Sequence, residues 1–310
     1  MGRFLPVAVL VALGAGWGLT QPLTKIAVST GHQPFALLFW QQAIVAVLMG
    51  LACLATGRRL PLGRGALAVY AVIALLGAVL PGTVNYTTAR HLPAGILSLL
   101  LSLVPMFAFP IALALGMDRF SLARLAGLGL GLTGVALIAL PGTSLPDPAM
   151  AGWIPLALIP AMLYACEGNY VARFGTAGMD PLQVLTGASI LGAAVTLPLA
   201  AGFGQTLAPP WPLGLPELAL VLSALVHGVV YATYVWLVGR TGAVFAAQTS
   251  YLVTAFGVVW AMLLLGERYS LWVWAAFGVM LLGLTLVRPR PPADAAGGAA
   301  IAPTAARVQP

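Results

Sequence analysis

Charge is what this sequence lacks most. Only 7% of its 310 residues are charged, and only seven are acidic. A water-soluble domain carries about a quarter of its residues as charge. Too few polar groups are present here to cover a soluble fold of this size, and that class is excluded. Cysteine is scarce as well. Cys53 and Cys166 both fall inside apolar blocks, with no spacing of a metal site or a disulfide framework; they read as small apolar fillers. No glycine-rich phosphate loop is present, which excludes an ATP-driven pump within this chain. The sequence thus calls for no metal and no cofactor.

What is present is hydrophobic, at 61% of the residues, with a mean hydropathy of +1.00. It comes in long blocks. A helix needs roughly 20 apolar residues to cross about 30 Å of hydrocarbon, and block after block has that length. The expected fold is an all-α membrane protein of ten transmembrane helices, near 5–28, 34–56, 67–89, 94–115, 121–140, 152–172, 182–202, 217–238, 243–265 and 271–287. Breakers or charges separate them, as in Gly31-His32-Gln33-Pro34, Gly57-Arg58-Arg59 and Gly266-Glu267-Arg268. The first block runs past the length of a signal peptide's apolar core and reads as a retained span. The segment 289–310, rich in Pro, Ala and Gly, reads as a disordered cytoplasmic tail.

The net charge of +7 would suggest nucleic acid in a soluble protein. Here the basic residues sit in short connections and read as topology signals; no nucleic-acid partner is expected. With the N-terminus inside, eleven of the fourteen Lys and Arg are cytoplasmic: Arg3, Arg58, Arg59, Arg64, Arg119, Arg124, Arg173, Arg240, Arg288, Arg290 and Arg307. Only Lys25, Arg90 and Arg268 lie outside. The positive-inside rule therefore predicts both termini in the cytoplasm, in a cell inner membrane.

The chain repeats itself. Met117-Asp118-Arg119-Phe120-Ser121-Leu122 matches Gly266-Glu267-Arg268-Tyr269-Ser270-Leu271 at an offset of 149 residues, which also carries Gly129 onto Gly278 and Gly134 onto Gly283. Pro34 and Pro181 each open a span, 147 apart. The units are 1–142 and 150–288, each with five helices. Five is odd, so the second unit enters the membrane from the opposite face. Inverted repeats are the architecture of many secondary transporters.

Gly14-Ala15-Gly16-Trp17-Gly18 with Lys25 after it, and Leu264-Leu265-Gly266-Glu267-Arg268-Tyr269-Ser270 before a glycine-bearing last helix, resemble the EamA-type transporters of the drug/metabolite transporter superfamily. The resemblance covers about 5–288. It implies a ten-helix bundle with a central cavity, often exporting amino acids or other metabolites. Two departures stand out. Met117-Asp118-Arg119 replaces the usual Gly-Glu-Arg, and Phe39-Trp40-Gln41-Gln42 falls where many members carry an Arg.

Most glycines read as packing devices, notably Gly14 with Gly18 and the run Gly127 to Gly134, because small residues let helix backbones approach. Prolines within spans, Pro22, Pro81, Pro105, Pro110, Pro155, Pro160 and Pro198, each free a carbonyl and bend the helix. Polar stripes mark the candidate site. Trp17, Thr20, Gln21 and Thr24 share a face of the first span; Tyr164, Glu167 and Tyr170 of the sixth; His227, Tyr231 and Tyr234 of the eighth; Asn85 and Thr88 of the third. At about 1.5 Å per residue, Trp17, Tyr164 and His227 fall near the midplane. They suggest a cavity for an apolar or planar solute, or else interhelical hydrogen bonding without a ligand. The candidate substrate-binding residues are Trp17, Gln21, Gln41, Asn85, Tyr164, His227 and Tyr231. Lys25 either snorkels or attracts an anion. Asp118-Arg119 and Glu267-Arg268 read as structural turns.

Glu167 is the single carboxylate inside a predicted span, about 9 Å from Arg173 along the helix. An ionised carboxylate at that depth is costly unless a cation or several donors face it. It is the candidate for proton coupling, or for pairing with a cationic amine; the alternative is a neutral, hydrogen-bonded structural Glu.

The expected function is a secondary transporter, an exporter, of small organic metabolites such as amino acids, with membrane lipid as its surroundings. A membrane-embedded lipid-modifying enzyme needs several acids or histidines brought together, and a channel has little need of inverted repeats. Both remain the alternatives.

The orientation is directly testable. After replacement of Cys53 and Cys166, single cysteines at Arg58 and Arg240 should label only from the cytoplasmic side, and one at Arg268 only from outside. Labelling of positions 119 and 268 from the same face would overturn the inverted repeat.

Overall fold

The computed structural model describes residues 4–208, 210–241, 243–246 and 248–287. The tail 289–310 lies outside the described residues, as do Arg3, Arg288, Arg290 and Arg307. Among the described residues the chain is helical throughout, without strands. The long helices are α1 (Phe4–Ala27), α2 (Pro34–Ala55), α3 (Arg64–Thr88), α4 (Ala94–Ala114), α5 (Leu122–Ala139), α6 (Ile154–Phe174), α7 (Pro181–Gly202), α8 (Leu215–Thr241), α9 (Thr249–Leu265) and α10 (Leu271–Leu286). Eight of them are long and apolar enough to cross a membrane; α9 and α10, at 17 and 16 residues, are shorter apolar helices.

Local chemistry explains where these helices start and stop. Pro34 and Pro181 stand in the first turns of α2 and α7, where a missing N–H costs nothing. Asp180 caps α7 by accepting from the N–H groups of Leu182 and Gln183, while the Gln183 side chain accepts from the Asp180 N–H. Gly266 ends α9 at φ 67°, a left-handed conformation that glycine adopts without strain.

Three helices depart from the expected spans. The third is interrupted by a π-helical stretch, Leu75–Val79. Its cause is Pro81, which has no N–H to donate to the Gly77 carbonyl and whose ring crowds it. The fourth breaks at Ser102-Leu103, just ahead of Pro105, and resumes at Val104. The ninth starts at Thr249 rather than 243; a single helical turn, Ala243–Ala246, precedes it. Pro22, Pro110, Pro160 and Pro198 lie within continuous helix.

The most extensive helix contacts are α1 with α8 and α9, α2 with α7 and α8, α3 with α6 and α7, α4 with α6 and α9, and α5 with α10; smaller ones, such as α1 with α4 and α4 with α5, lie outside this set. Advancing both numbers of a pair by five, and returning to the start past ten, reproduces the set. α1·α9 becomes α6·α4, α1·α8 becomes α6·α3, and α2·α8 becomes α7·α3. The pairs α2·α7, α4·α9 and α5·α10 map onto themselves.

Glycine sets the closest approaches. A Cβ on Gly18 would stand 2.8 Å from the Gly257 nitrogen and 2.9 Å from the Val253 oxygen, both in α9. A Cβ on Gly16 would stand 2.6 Å from Val230 in α8. Helix α1 is thus wedged between two neighbours on alternating glycine faces. At the α5–α10 contact a Cβ on Gly127 would meet the Gly283 oxygen at 2.7 Å.

The charged turns are tied down. Glu267 accepts from the N–H groups of Ala94 (2.7 Å) and Gly95 (3.1 Å), filling the role that Pro93 cannot at the start of α4. Asp118 pairs with Arg124. Lys25 donates to the carbonyls of Leu92 (3.0 Å) and Arg90 (3.4 Å), so its amine serves the end of α3. On the opposite end, Arg58 pairs with Asp180 at 3.3 Å and Gln183 donates to the Arg59 carbonyl.

Gly18→Ala should lower stability by about 1–3 kcal/mol, the cost of forcing a methyl group against fixed backbone. Gly129→Ala, with nothing within 4 Å of its Cβ position, should leave stability unchanged or slightly raised. Thermal unfolding in detergent checks both; equal effects would refute close approach at Gly18.

Candidate functional site

The candidate residues lie along one path between helices, joined by ring contacts, one hydrogen bond and electrostatic proximity. Alternating small residues on α1 leave Trp17 free to reach α8. Its ring lies 5.2 Å from that of Tyr234 and 6.4 Å from that of His227. His227 stacks with Tyr231, one helical turn on, at 6.3 Å. Tyr231 lies within electrostatic reach of Glu167 on α6, and so does Tyr164. Tyr164 likewise lies within electrostatic reach of Tyr86 on α3. The Tyr86 hydroxyl donates to Gln41 Oε1 on α2 at 3.0 Å. Six of the eight residues singled out from sequence therefore belong to one path across five helices: Trp17, His227, Tyr231, Glu167, Tyr164 and Gln41.

These side chains are half-buried, whereas the residues that flank them on α1, α6 and α8, such as Leu13, Ala165 and Ala224, are fully buried. Gln21 is different: it is 7% exposed, and its Oε1 has no hydrogen-bond partner. It shares the Trp17 face of α1, one turn on. Asn85 is half-buried beside Tyr86 and makes no side-chain hydrogen bond to a described residue.

Glu167 owes its position to the interruption of α3. Its carboxyl group lies over Gly77, in the π-helical stretch: a Cβ there would stand 2.7 Å from both carboxylate oxygens. Any other residue at 77 would displace the acid. Among the described residues Glu167 has no hydrogen bond and no ion pair. His227 packs between Trp17 and Tyr231.

Tyr86, Tyr234 and Gly77 were not among the residues picked from sequence for the site. Tyr234 was visible in the α8 stripe. The other two signal only through spacing: Gly77 stands four residues before Pro81, and Tyr86 adjoins Asn85. A separate hollow of about 300 Å³ lies between α2, α8 and the connection that joins α7 to α8. Leu37, Trp40, Leu213 and Leu220 line it, and His32 pairs with Glu217 at its edge at 2.6 Å. None of the sequence-selected residues lines this hollow. Its walls offer little polar chemistry beyond that satisfied pair, so the polar path through Glu167 is the better candidate. No group of three or more metal-ligating side chains occurs among the described residues.

Comparison with known proteins follows the same outline. The model of the EamA-like transporter family matches this chain twice, over residues 5–140 and 151–288. The uncharacterized inner membrane transporter YedA of Escherichia coli is 25% identical over 288 residues, 92% of this chain and 91% of that protein. A probable terminal-alkyne amino-acid exporter of Streptantibioticus cattleyicolor is 25% identical over 268 residues, covering 84% and 86%. A protein of known crystal structure, 18% identical, shares the fold with a TM-score of 0.64 over 92% of this chain and 96% of its own.

Trp17→Ala and Tyr164→Ala should each slow transport by about three- to ten-fold, the scale of one lost aromatic contact, with membrane expression near wild type. Wild-type rates in both variants would move the site elsewhere.

Proposed function

From the membership of this chain in the EamA-like transporter family, we propose that it is a secondary transporter, an exporter, of small organic metabolites such as amino acids. It works by alternating access between two inverted repeats of five spans, 1–142 and 150–288, with both termini in the cytoplasm of a cell that holds it in its inner membrane. The observation that carries this reading is the packing pattern. The pairs α1·α8 and α6·α3, which hold the aromatic and acidic residues, exchange when the helix numbers advance by five. Two similar bundles that meet at a shared polar site can rock about it and expose it to one face at a time. The double family match supports the division into repeats. The name of the Streptantibioticus relative supports an amino-acid-like cargo and export.

Transport rather than catalysis is favoured by the composition of the site. It offers one carboxylate, one histidine and several tyrosines, without a second acid beside Glu167 to share acid–base work. Glu167 is the proton-coupling group in this proposal. It is unpaired, half-buried and backed by Gly77, so it can take up a proton from whichever side the site faces.

Purified protein in proteoliposomes, screened for metabolite uptake with and without a pH gradient, tests the proposal. The wild type should respond to the gradient, and Glu167→Gln should transport without responding to it. A variant that follows the gradient as the wild type does would make Glu167 structural. Absence of transport of every metabolite tested, with protein correctly inserted, would remove the transporter reading.

A further inference from the structure

Resting on the transporter reading but narrowing its cargo from zwitterionic amino acids to amines, we infer that the central site selects organic cations: amines or quaternary ammonium compounds with an apolar or planar body, in preference to zwitterions or anions of the same shape. The charges on the site's own walls lead to this. Glu167 contributes a carboxylate with no hydrogen bond or ion pair to any described residue. Gln21 Oε1, 93% enclosed by its residue's burial, is a second acceptor without a donor. Both lie on faces that carry site aromatics, Tyr164 for the first and Trp17 for the second.

Positive charge, by contrast, is absent from the site among the described residues. Lys25, two turns beyond Trp17 on α1 and about 12 Å away along the helix, is spent on the carbonyls of Arg90 and Leu92. Arg90 donates to the His32 carbonyl, Arg124 pairs with Asp118, and Arg58 pairs with Asp180. Arg173 and Arg240 stack on Phe174 and Trp236 at the ends of α6 and α8. The remaining described arginines, Arg59, Arg64, Arg119 and Arg268, lie in connections or at a helix start. The carboxylate of a zwitterionic solute would therefore enter without a counter-charge, close to an acid, in a medium where an unpaired charge is expensive. A cation meets the opposite situation. Glu167 neutralises it, Gln21 accepts from its N–H where it is a protonated amine, and the faces of Trp17, Tyr164, Tyr231 and Tyr234 attract it through their ring quadrupoles.

Three probes of one indole skeleton separate the charge types: N,N,N-trimethyltryptammonium, tryptophan and indole-3-acetate. The first cannot lose its charge, so its uptake into proteoliposomes reports carriage rather than diffusion. Binding to the detergent-purified full chain and uptake should both favour the ammonium over tryptophan by at least about ten-fold, equivalent to one well-placed counter-charge, with indole-3-acetate weakest. Glu167→Asp should keep the preference, and Glu167→Gln should reduce it to near parity. Equal or tighter binding of tryptophan or indole-3-acetate, no binding of the ammonium, or a preference that survives Glu167→Gln would each overturn the inference. Transport of neutral or anionic metabolites in the same vesicles would leave the transporter reading standing, whereas loss of all transport would take both.

Discussion

The bundle is held together where side chains are missing. In lipid, apolar surface gains little from leaving one apolar neighbour for another, so helices associate through close van der Waals packing and a few polar contacts. Helix α1 shows how far this goes. Gly18 admits the backbone of α9 and Gly16 admits Val230 of α8, so the helix is gripped from two sides. That grip aims Trp17 at Tyr234 and His227, and it brings Trp260 close enough to donate to the Ala15 carbonyl at 2.9 Å. Widening α1 by single methyl groups would push apart the helices that carry the aromatic half of the site.

Irregular backbone does comparable work for the acidic half. A straight α3 with a side chain at 77 would occupy the space that Glu167 takes. Pro81 forces the π-helical stretch, and Gly77 leaves its outer face bare. The acid is thus accommodated by a defect in the neighbouring helix rather than by a partner. Asn169, one half-turn on, secures the same helix by donating to the carbonyls of Ala165 (2.9 Å) and Ala108 (3.1 Å), which ties α6 to the second half of α4. Glu167 therefore sits on a firmly held helix beside a loosened one.

Much of this was legible in the sequence, because in a membrane the same residues that specify the structure also stand out in the composition. Blocks of apolar residues gave the helices to within a few residues at α1, α2, α5, α7 and α10. Period-3.6 stripes placed Trp17, Glu167, His227 and Tyr231 among the candidate residues that the structure sets along one path. What sequence periodicity cannot encode is a change of period: the breaks inside α3 and α4 follow from Pro81 and Pro105, yet Pro110 and Pro198 lie in continuous helix. Proline alone does not separate the two outcomes, because a freed carbonyl can be satisfied by neighbouring groups or by local rewinding. The role of Lys25 was open for a similar reason. Its position near the end of α1 fitted a snorkelling amine, but the two carbonyls that hold it come from residues more than sixty positions away. Gln21 and Gln41, both within helices, also differ in a way that sequence could not foretell: one is left with an unpaired oxygen and the other meets Tyr86.

At the candidate site the two proposed repeats correspond in aromatic residues and differ in charge. Tyr164 follows Trp17 by 147 positions, and Tyr234 follows Tyr86 by 148. In the structure Trp17 meets Tyr234, while Tyr164 lies within electrostatic reach of Tyr86. The two relations join corresponding helices, once the first helix of the first unit with the third of the second, as a ring contact, and once the other way round, by electrostatic proximity. At the 147-residue offset Glu167 corresponds to Thr20, whose hydroxyl is turned back onto the Trp17 carbonyl at 2.7 Å. Likewise, the interrupted α3 has as its counterpart the continuous 27-residue α8. A strictly duplicated site would carry two acids or none, and would bind its solute equally well in two related poses. A single acid, set beside the irregular helix alone, gives the site a direction. In the proposed site, protonation of Glu167 would change the hold on a solute on the α3–α6 side and leave the aromatic faces of α1 and α8 as they are.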